Sequence, residues 1–309
     1  MDSNDPGGGG KKPPAGPAFY HGHGLGNDYL VFESAARDGE PGWPVTGGAV
    51  RMICRKGVGP GSDGIVVLSS RHPADGVFRA RGYNPDGSEF ERSGNGLRVL
   101  ASHLHRAGLV GRRPFAVRLG GLAPVQMTVH EADRAGRYDV SVQMGRAEVG
   151  LTAVDAERSL LDARGRAVRP SRDPVEFVPV SVGNPHAVVF SGGDAIEEIG
   201  PFLSTHPAFR SGVNVQLAGV EAPGRLAIRV WERGAGPTSA SGTSACAAAA
   251  AAVSTGRIEP GPVQVRMDGG TLVVQIATGL DIGLRGPVEE IADGRLTEAY
   301  MERLRRLPA

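Results

Sequence analysis

From Phe19 onward the chain is a succession of short apolar runs broken by Gly, Pro, Asn and Asp. In the first half these are Tyr29-Leu30-Val31-Phe32, Ile65-Val66-Val67-Leu68 and the alternating Tyr138-Asp139-Val140-Ser141-Val142. In the second half they are Val178-Pro179-Val180, Ala187-Val188-Val189-Phe190, Leu226 through Trp231 and Leu272 through Ile276. Four- to eight-residue runs rich in β-branched residues and bounded by turn formers predict strands, so each half is expected to be mainly β. Residues 1–18 carry Gly, Pro and Lys with no apolar period and predict a disordered extension. Leu296 to Leu304 predicts a short amphipathic closing helix.

Each half also predicts one clear helix, and the two begin alike. After a strand ending near Tyr83 and the turn Asn84-Pro85-Asp86-Gly87, Ser93-Gly94-Asn95-Gly96 leads into Leu97 through Leu104. After a strand ending at Trp231 and the turn Glu232-Arg233-Gly234-Ala235-Gly236, Ser241-Gly242-Thr243-Ser244 leads into Ala245 through Val253. The two serines are separated by about half the folded length, as a duplicated lobe requires. Either turn alone reads as an ordinary N-cap, for which Ser, Thr and Asn are preferred. Together they describe two helix N-termini, each with unpaired N–H groups, a partial positive charge and glycine that admits an anion to the backbone. Facing one cleft, they would grip a carboxylate and set a side chain on either face of the carbon that bears it. Such an arrangement can remove a proton from one face and return one to the other.

Composition narrows the ligand. With 34 basic and 33 acidic residues the net charge is +1, so no global field favours nucleic acid or an anionic membrane. A small neutral or zwitterionic molecule fits better. The longest apolar stretch, Ala245 to Val253, is too short to span a bilayer, and no secretory core is evident, so a cytoplasmic protein is expected. Cys54 and Cys246 read as buried thiols rather than a disulfide framework or a metal site. His21/His23 and His103/His105 lack partners at metal-ligand spacing, and no metal is expected. Lysine occurs only at Lys11, Lys12 and Lys56, which argues against a pyridoxal Schiff base. The Gly-rich turns match no Walker or dinucleotide fingerprint. No cofactor is expected.

Eight segments in order resemble diaminopimelate epimerases, which share a superfamily with proline racemases. They are His23-Gly24-Leu25-Gly26-Asn27-Asp28-Tyr29, Gly61-Ser62-Asp63-Gly64, Asn84 through Glu89, Ser93 through Arg98, Gly183-Asn184-Pro185-His186-Ala187, Gly212-Val213-Asn214-Val215, Glu232-Arg233-Gly234 and Ser241-Gly242-Thr243. The resemblance implies an α+β fold of two similar lobes, each a β-barrel-like sheet around a central helix, with the site between them. The expected division is an extension over 1–18, lobes over 19–145 and 146–290, and a closing helix within 291–309 packed on the lobes. A homodimer is compatible with it. The resemblance further implies substrate contacts from Asn27, Asn84, Asn184 and Asn214, an ionic pair in Glu232 and Arg233, and a carboxylate cradle of Gly94, Asn95, Gly242 and Thr243. It implies isomerase chemistry on an amino acid, with LL- to meso-diaminopimelate, a step of lysine biosynthesis, as the default.

The pattern breaks at the reacting positions. Where the family has two catalytic cysteines, this chain has Ser93 and Ser241. A thiol titrates near pH 8.5 and an alkyl hydroxyl several units higher; a gap of about five units would cost about 7 kcal/mol in forming the base. Gly236-Pro237-Thr238 also replaces the usual Gly-Glu-Thr, and the Gly59 to Gly64 loop is altered, which reads as natural divergence rather than a silenced enzyme. A neighbouring base could activate the serines, and the resemblance puts His186 and Glu232 beside the reacting centre. Two alternatives stand beside an amino-acid epimerase: an isomerase of an amino-acid-derived amide or cyclic dipeptide, and an inactive amino-acid-binding homologue.

Overall fold

The structure, a computed structural model, describes residues 16–34, 42–90, 93–169, 172–190 and 195–307. Most of the expected N-terminal extension, residues 1–15, lies outside them. The first half contains β1 (Ala18–Gly24), β2 (Asn27–Glu33), α1 (Gly47–Cys54), β3 (Ile65–Leu68), β4 (Val77–Tyr83), α2 (Gly94–Arg106), β5 (Phe115–Leu119), β6 (Val125–Ala132) and β7 (Arg137–Arg146). After β8 (Glu148–Val149), the second half contains β9 (Val178–Ser181), β10 (Pro185–Val189), α3 (Ile196–Ser204), β11 (Asn214–Ala222), β12 (Arg225–Glu232), β13 (Gly236–Thr238), α4 (Gly242–Ser254), β14 (Gly261–Met267), β15 (Gly270–Ile276) and β16 (Asp281–Arg295). Helix α5 (Glu298–Arg305) ends the described chain.

The pairing pattern of one half repeats in the other. β1–β2 and β9–β10 are antiparallel, and β2–β3 and β10–β11 are parallel. β3–β4 and β11–β12 are antiparallel, while β4–β5 and β12–β14 are parallel. β5–β6–β7 and β14–β15–β16 close each series as antiparallel runs. The duplication inferred from two turns therefore extends to these ladders, while β12 alone carries a further short partner, β13.

Two long strands join the halves. β7 and β16 pair antiparallel from Asp281↔Arg146 to Glu289↔Arg137, and the far end of β16 continues onto β1, from His23↔Glu289 to Ala18↔Arg295. That closes β1 to β7 with β16 into an eight-stranded barrel. In the second half β7 continues past Ala147 into β8, which pairs with β9. Because β16 holds its pairing on β1 as far as Arg295, the closing helix starts only at Glu298, capped by the Thr297 hydroxyl.

Each barrel encloses one helix. α2 is buried from Gly94 through Ser102, and α4 from Gly242 through Ala252. The run of alanines in α4 suits this position: alanine has the highest helix propensity, and its single methyl lets strands approach on every side. The remaining helices pack outside; α5 is the closing helix the sequence predicted, while α1 and α3 add to the one helix per half it predicted. α1 and α5 bury Ile53, Met301 and Leu304 with Trp43 and Phe32, and α3 buries Ile199 and Leu203 with Phe209 and Val215. α1 and α3 span only 8 and 9 residues, and α3 contains Gly200 and Pro201, so their periodic signal is weak.

Candidate active site

The two enclosed helices point their N-termini at one another. A methyl placed on Gly94 would lie 3.6 Å from the Gly242 Cα, and one on Gly242 would lie 3.4 Å from the Gly94 Cα. Either would also meet Cδ2 of Leu284, at 2.6 and 2.9 Å, so this side chain from the shared seam lies against both glycines. In the first turns, the N–H groups of Gly94, Asn95, Gly242 and Thr243 fall outside the i→i−4 ladder. Two positive helix ends therefore lie close together among buried residues, and each favours an anion.

Ser93 and Ser241 occupy the N-cap positions, but their hydroxyls are used differently. Ser93 Oγ accepts the Gly96 N–H at 3.0 Å and lies 2.9 Å from the Tyr29 hydroxyl. Ser241 makes no side-chain cap, and its N–H faces Met267 Sδ at 3.4 Å. Burial raises the Glu232 pKa above the ordinary carboxylate value, the polar Ser241 side chain opposes that rise, and the charge of Asp63 adds to it.

The asparagines fall into two groups. Asn27 and Asn95 belong to a polar chain beneath the N-terminal helix. Arg98, fully buried, donates to the Gly94 carbonyl at 3.3 Å, to the Pro287 carbonyl at 3.1 Å and to Asn95 Oδ1. Asn95 Nδ2 donates to Asn27 Oδ1 at 2.8 Å, and Asn27 Nδ2 donates to Asp63 Oδ2 at 3.1 Å. Because a guanidinium can only donate, it forces the Asn95 oxygen toward itself, and the polarity of each following amide is then fixed. Burial pushes the Arg98 pKa down to about 10, which still leaves it charged at neutral pH. Arg98→Lys is expected to destabilise the fold by about 1.5–3 kcal/mol, because an ammonium cannot serve all three acceptors in one plane. Urea unfolding measures this.

Asn184 and Asn214 belong to the C-terminal lobe. Asn214 Nδ2 donates to the Pro185 carbonyl at 3.0 Å, and its Oδ1 accepts the Arg233 N–H at 3.0 Å, so it fixes the turn that follows Glu232. The Arg233 side chain is exposed and donates to the Ser211 carbonyl at 2.7 Å. Asn84 sits in the turn after β4, with Nδ2 donating to Ser88 Oγ at 3.0 Å.

His186 is completely buried, and both ring nitrogens are engaged. Gln216 Nε2 donates to Nδ1 at 2.9 Å, and Nε2 lies 2.9 Å from Asn184 Oδ1. With Nδ1 accepting, the proton is on Nε2 and is donated to Asn184. Gln216 also donates to Ser244 Oγ at 2.9 Å, tying the ring to the first turn of α4. Burial pushes the imidazole pKa down to about 3, so it stays neutral over the working range.

Two residues at the site carried no role in the sequence reading. Tyr29 and Asp63 both lie inside matched segments, but their relation to the serines depends on how β2, the loop before β3 and α2 meet. Asp63 Oδ2 accepts from the Asn27 side chain and from the Asp28 N–H at 3.1 Å each, and burial raises its pKa. Burial also works to raise that of Asp28, but His21 at 2.6 Å outweighs it and the net shift is downward. A shallow depression of about 420 Å³ lined by Arg71, Phe78, Arg113 and Phe115 includes neither serine.

Comparison with known proteins agrees with this architecture. The diaminopimelate epimerase family profile matches residues 19–150 and 178–283. A diaminopimelate epimerase of Desulforudis audaxviator is 38% identical over 90% of this chain and 98% of its own length, and one from Nostoc is 33% identical over 90% and 95%. Among solved structures, a hydroxyproline epimerase from Agrobacterium vitis is similar in fold, with a TM-score of 0.65 at 16% identity over 92% of this chain and 93% of that one. A predicted epimerase from Pseudomonas aeruginosa gives 0.63 at 20% identity over 91% and 99%. On the family match and the identity to these relatives, the chain belongs to the diaminopimelate epimerase family and is an isomerase of the racemase and epimerase type.

Proposed function

We propose that this isomerase inverts the α-carbon of an amino acid without a cofactor, and that its default reaction interconverts LL- and meso-diaminopimelate. The observation that carries the reading is the meeting of two helix N-termini at Gly94 and Gly242, with one serine hydroxyl at each. The N–H groups of Gly94, Asn95, Gly242 and Thr243 would bind the reacting carboxylate. The same dipoles would stabilise the enediolate charge that develops when Cα–H is broken. Asn27, Asn84, Asn184, Asn214 and Arg233 would hold the remaining polar groups of the substrate.

In this reading serine is not itself the base. Ser241 takes the Cα proton while giving its own to Glu232, so the charge ends on a carboxylate and no alkoxide accumulates. The raised Glu232 pKa makes it a stronger base than an exposed carboxylate. Ser93 works on the opposite face. His186 is assigned to holding Asn184, since neither ring nitrogen is left to take a proton. The serine pair also favours a substrate with a more acidic Cα–H, which keeps an amino-acid amide or cyclic dipeptide as the second reading.

The test is chiral chromatography after incubation of the purified protein with LL-diaminopimelate, meso-diaminopimelate, amino-acid amides and cyclic dipeptides. Interconversion of the first pair is expected. Inversion of an amide or cyclic dipeptide alone would replace the substrate assignment, and no inversion of any of them would refute the reading.

A further inference from the structure

We propose that Tyr29 is a positioning residue that sets the direction of the Ser93 hydroxyl and resupplies its proton. This rests on the epimerase reading above. Ser93 Oγ has two lone pairs and one proton. One lone pair is taken by the Gly96 N–H. The Tyr29 hydroxyl, 2.9 Å away, decides what remains. If it donates to Ser93, the serine proton is free to point at the substrate, and Ser93 is ready to act as an acid. If it is the phenolate left by a preceding reprotonation and accepts from Ser93, a serine lone pair faces the substrate, and Ser93 can take the Cα proton while passing its own to Tyr29. An epimerase needs both states, one for each direction of reaction.

The fold fixes this phenol closely. A methyl on Gly64 would come within 2.5 Å of the Tyr29 ring, and one on Gly96 within 3.2 Å, so the ring is held between two glycines that leave room for it. Phe90 packs edge-on at 6.0 Å between centroids. The ring is buried, and desolvation raises its pKa, so the phenol remains protonated at working pH. The charges of Glu232 and Asp63 act in the same direction.

The step balances. When the carbanion is reprotonated, the Ser93 O–H bond breaks and a Cα–H bond forms. The Tyr29 proton moves to Ser93 Oγ as its own O–H bond breaks, and the negative charge passes from the enediolate to the phenolate. An ordinary phenol is several units more acidic than an alkyl hydroxyl; burial and the nearby carboxylate charges reduce that advantage for Tyr29, and its hydrogen bond to Ser93 offsets part of the reduction.

Two measurements test this, one of them independent of turnover. In a Ser93→Cys background, the thiolate absorbance titrates the new sulfur, with the two buried native cysteines subtracted using the unmodified protein. Adding Tyr29→Phe is expected to raise that thiol's pKa by about one pH unit, because a hydrogen bond to the thiolate is lost. An unchanged titration overturns the proposal whether or not the protein turns over. In the serine protein, Tyr29→Phe is expected to lower kcat about 100-fold in both directions, as a fixed equilibrium constant requires, with KM within about twofold. Fluorinated tyrosine at position 29 should move the basic limb of the pH profile downward. An unchanged kcat, or an unmoved limb, contradicts the proposal. Failure of the unmodified protein to turn over refutes the epimerase reading instead.

Discussion

Ser241→Ala is expected to lower proton abstraction from one stereoisomer by about a thousandfold, within the range assigned to a positioned acid–base group. Ser93→Ala is expected to do the same for the other stereoisomer. The reason is geometric. The serines stand at the N-caps of two helices whose first glycines approach so closely that a methyl on either would touch the Cα of the other, and in the proposed reaction a carbon held between the serines presents one face to each hydroxyl. Removing one hydroxyl leaves the carboxylate cradle of backbone N–H groups intact, so substrate binding measured by calorimetry should change little. The variants should differ in stability as well. Ser93 caps its helix through Gly96, and losing that bond is expected to cost about 1 kcal/mol. Ser241 caps nothing with its side chain and should cost less. Net turnover must fall equally in both directions in each variant, because the equilibrium constant is fixed; if each variant also slows Cα–H abstraction from both stereoisomers equally, the division of faces is wrong.

Glu232→Gln is expected to have the second large effect, and its two consequences have opposite signs. Activity should fall by about 10²–10⁴-fold, since the amide cannot receive the proton passed through Ser241. Stability at neutral pH should rise. The native pKa of Glu232 lies above its ordinary value of 4.5, so between the two values the native state binds more protons than the unfolded state. The contribution from the protonated form is complete below pH 4.5 and is lost as pH rises through the native pKa. Glutamine keeps a neutral side chain at every pH and avoids that loss. Thermal unfolding at pH 7–8 should show a higher Tm for the variant, and the acid limb of the wild-type activity profile should lie above the ordinary carboxylate range. A lower Tm for Glu232→Gln would mean that the carboxylate is a structural ion, not a buried base.

The sequence made much of this visible where the information is local. Ser93-Gly94 and Ser241-Gly242 are N-cap signatures, and both do open helices. The apolar runs at Tyr29, Ile65, Leu226 and Leu272 lie in strands because β-branched residues between turn formers have few other solutions. What escaped depends on distant meetings. The β7–β16 seam joins residues more than a hundred positions apart, and nothing local marks Leu284 as the side chain under both glycines. Tyr29 reads as one more apolar strand residue until β2 and α2 bring its hydroxyl to Ser93. Nothing local shows what Arg98 bonds to until the barrel closes around it. His186 and Glu232 were equal candidates for the base by sequence; burial and hydrogen bonding distinguish them, since both ring nitrogens of His186 are engaged while burial raises the Glu232 pKa.

The central claim is that two different groups serve the two faces of one α-carbon. It is tested most directly by following the first turnovers of LL- and then meso-diaminopimelate in D₂O by mass spectrometry. The account predicts one solvent deuterium at the inverted carbon of newly formed product, from either direction, while unreacted substrate keeps its protium. Product without deuterium, or deuterium entering unreacted substrate as fast as product, would contradict it.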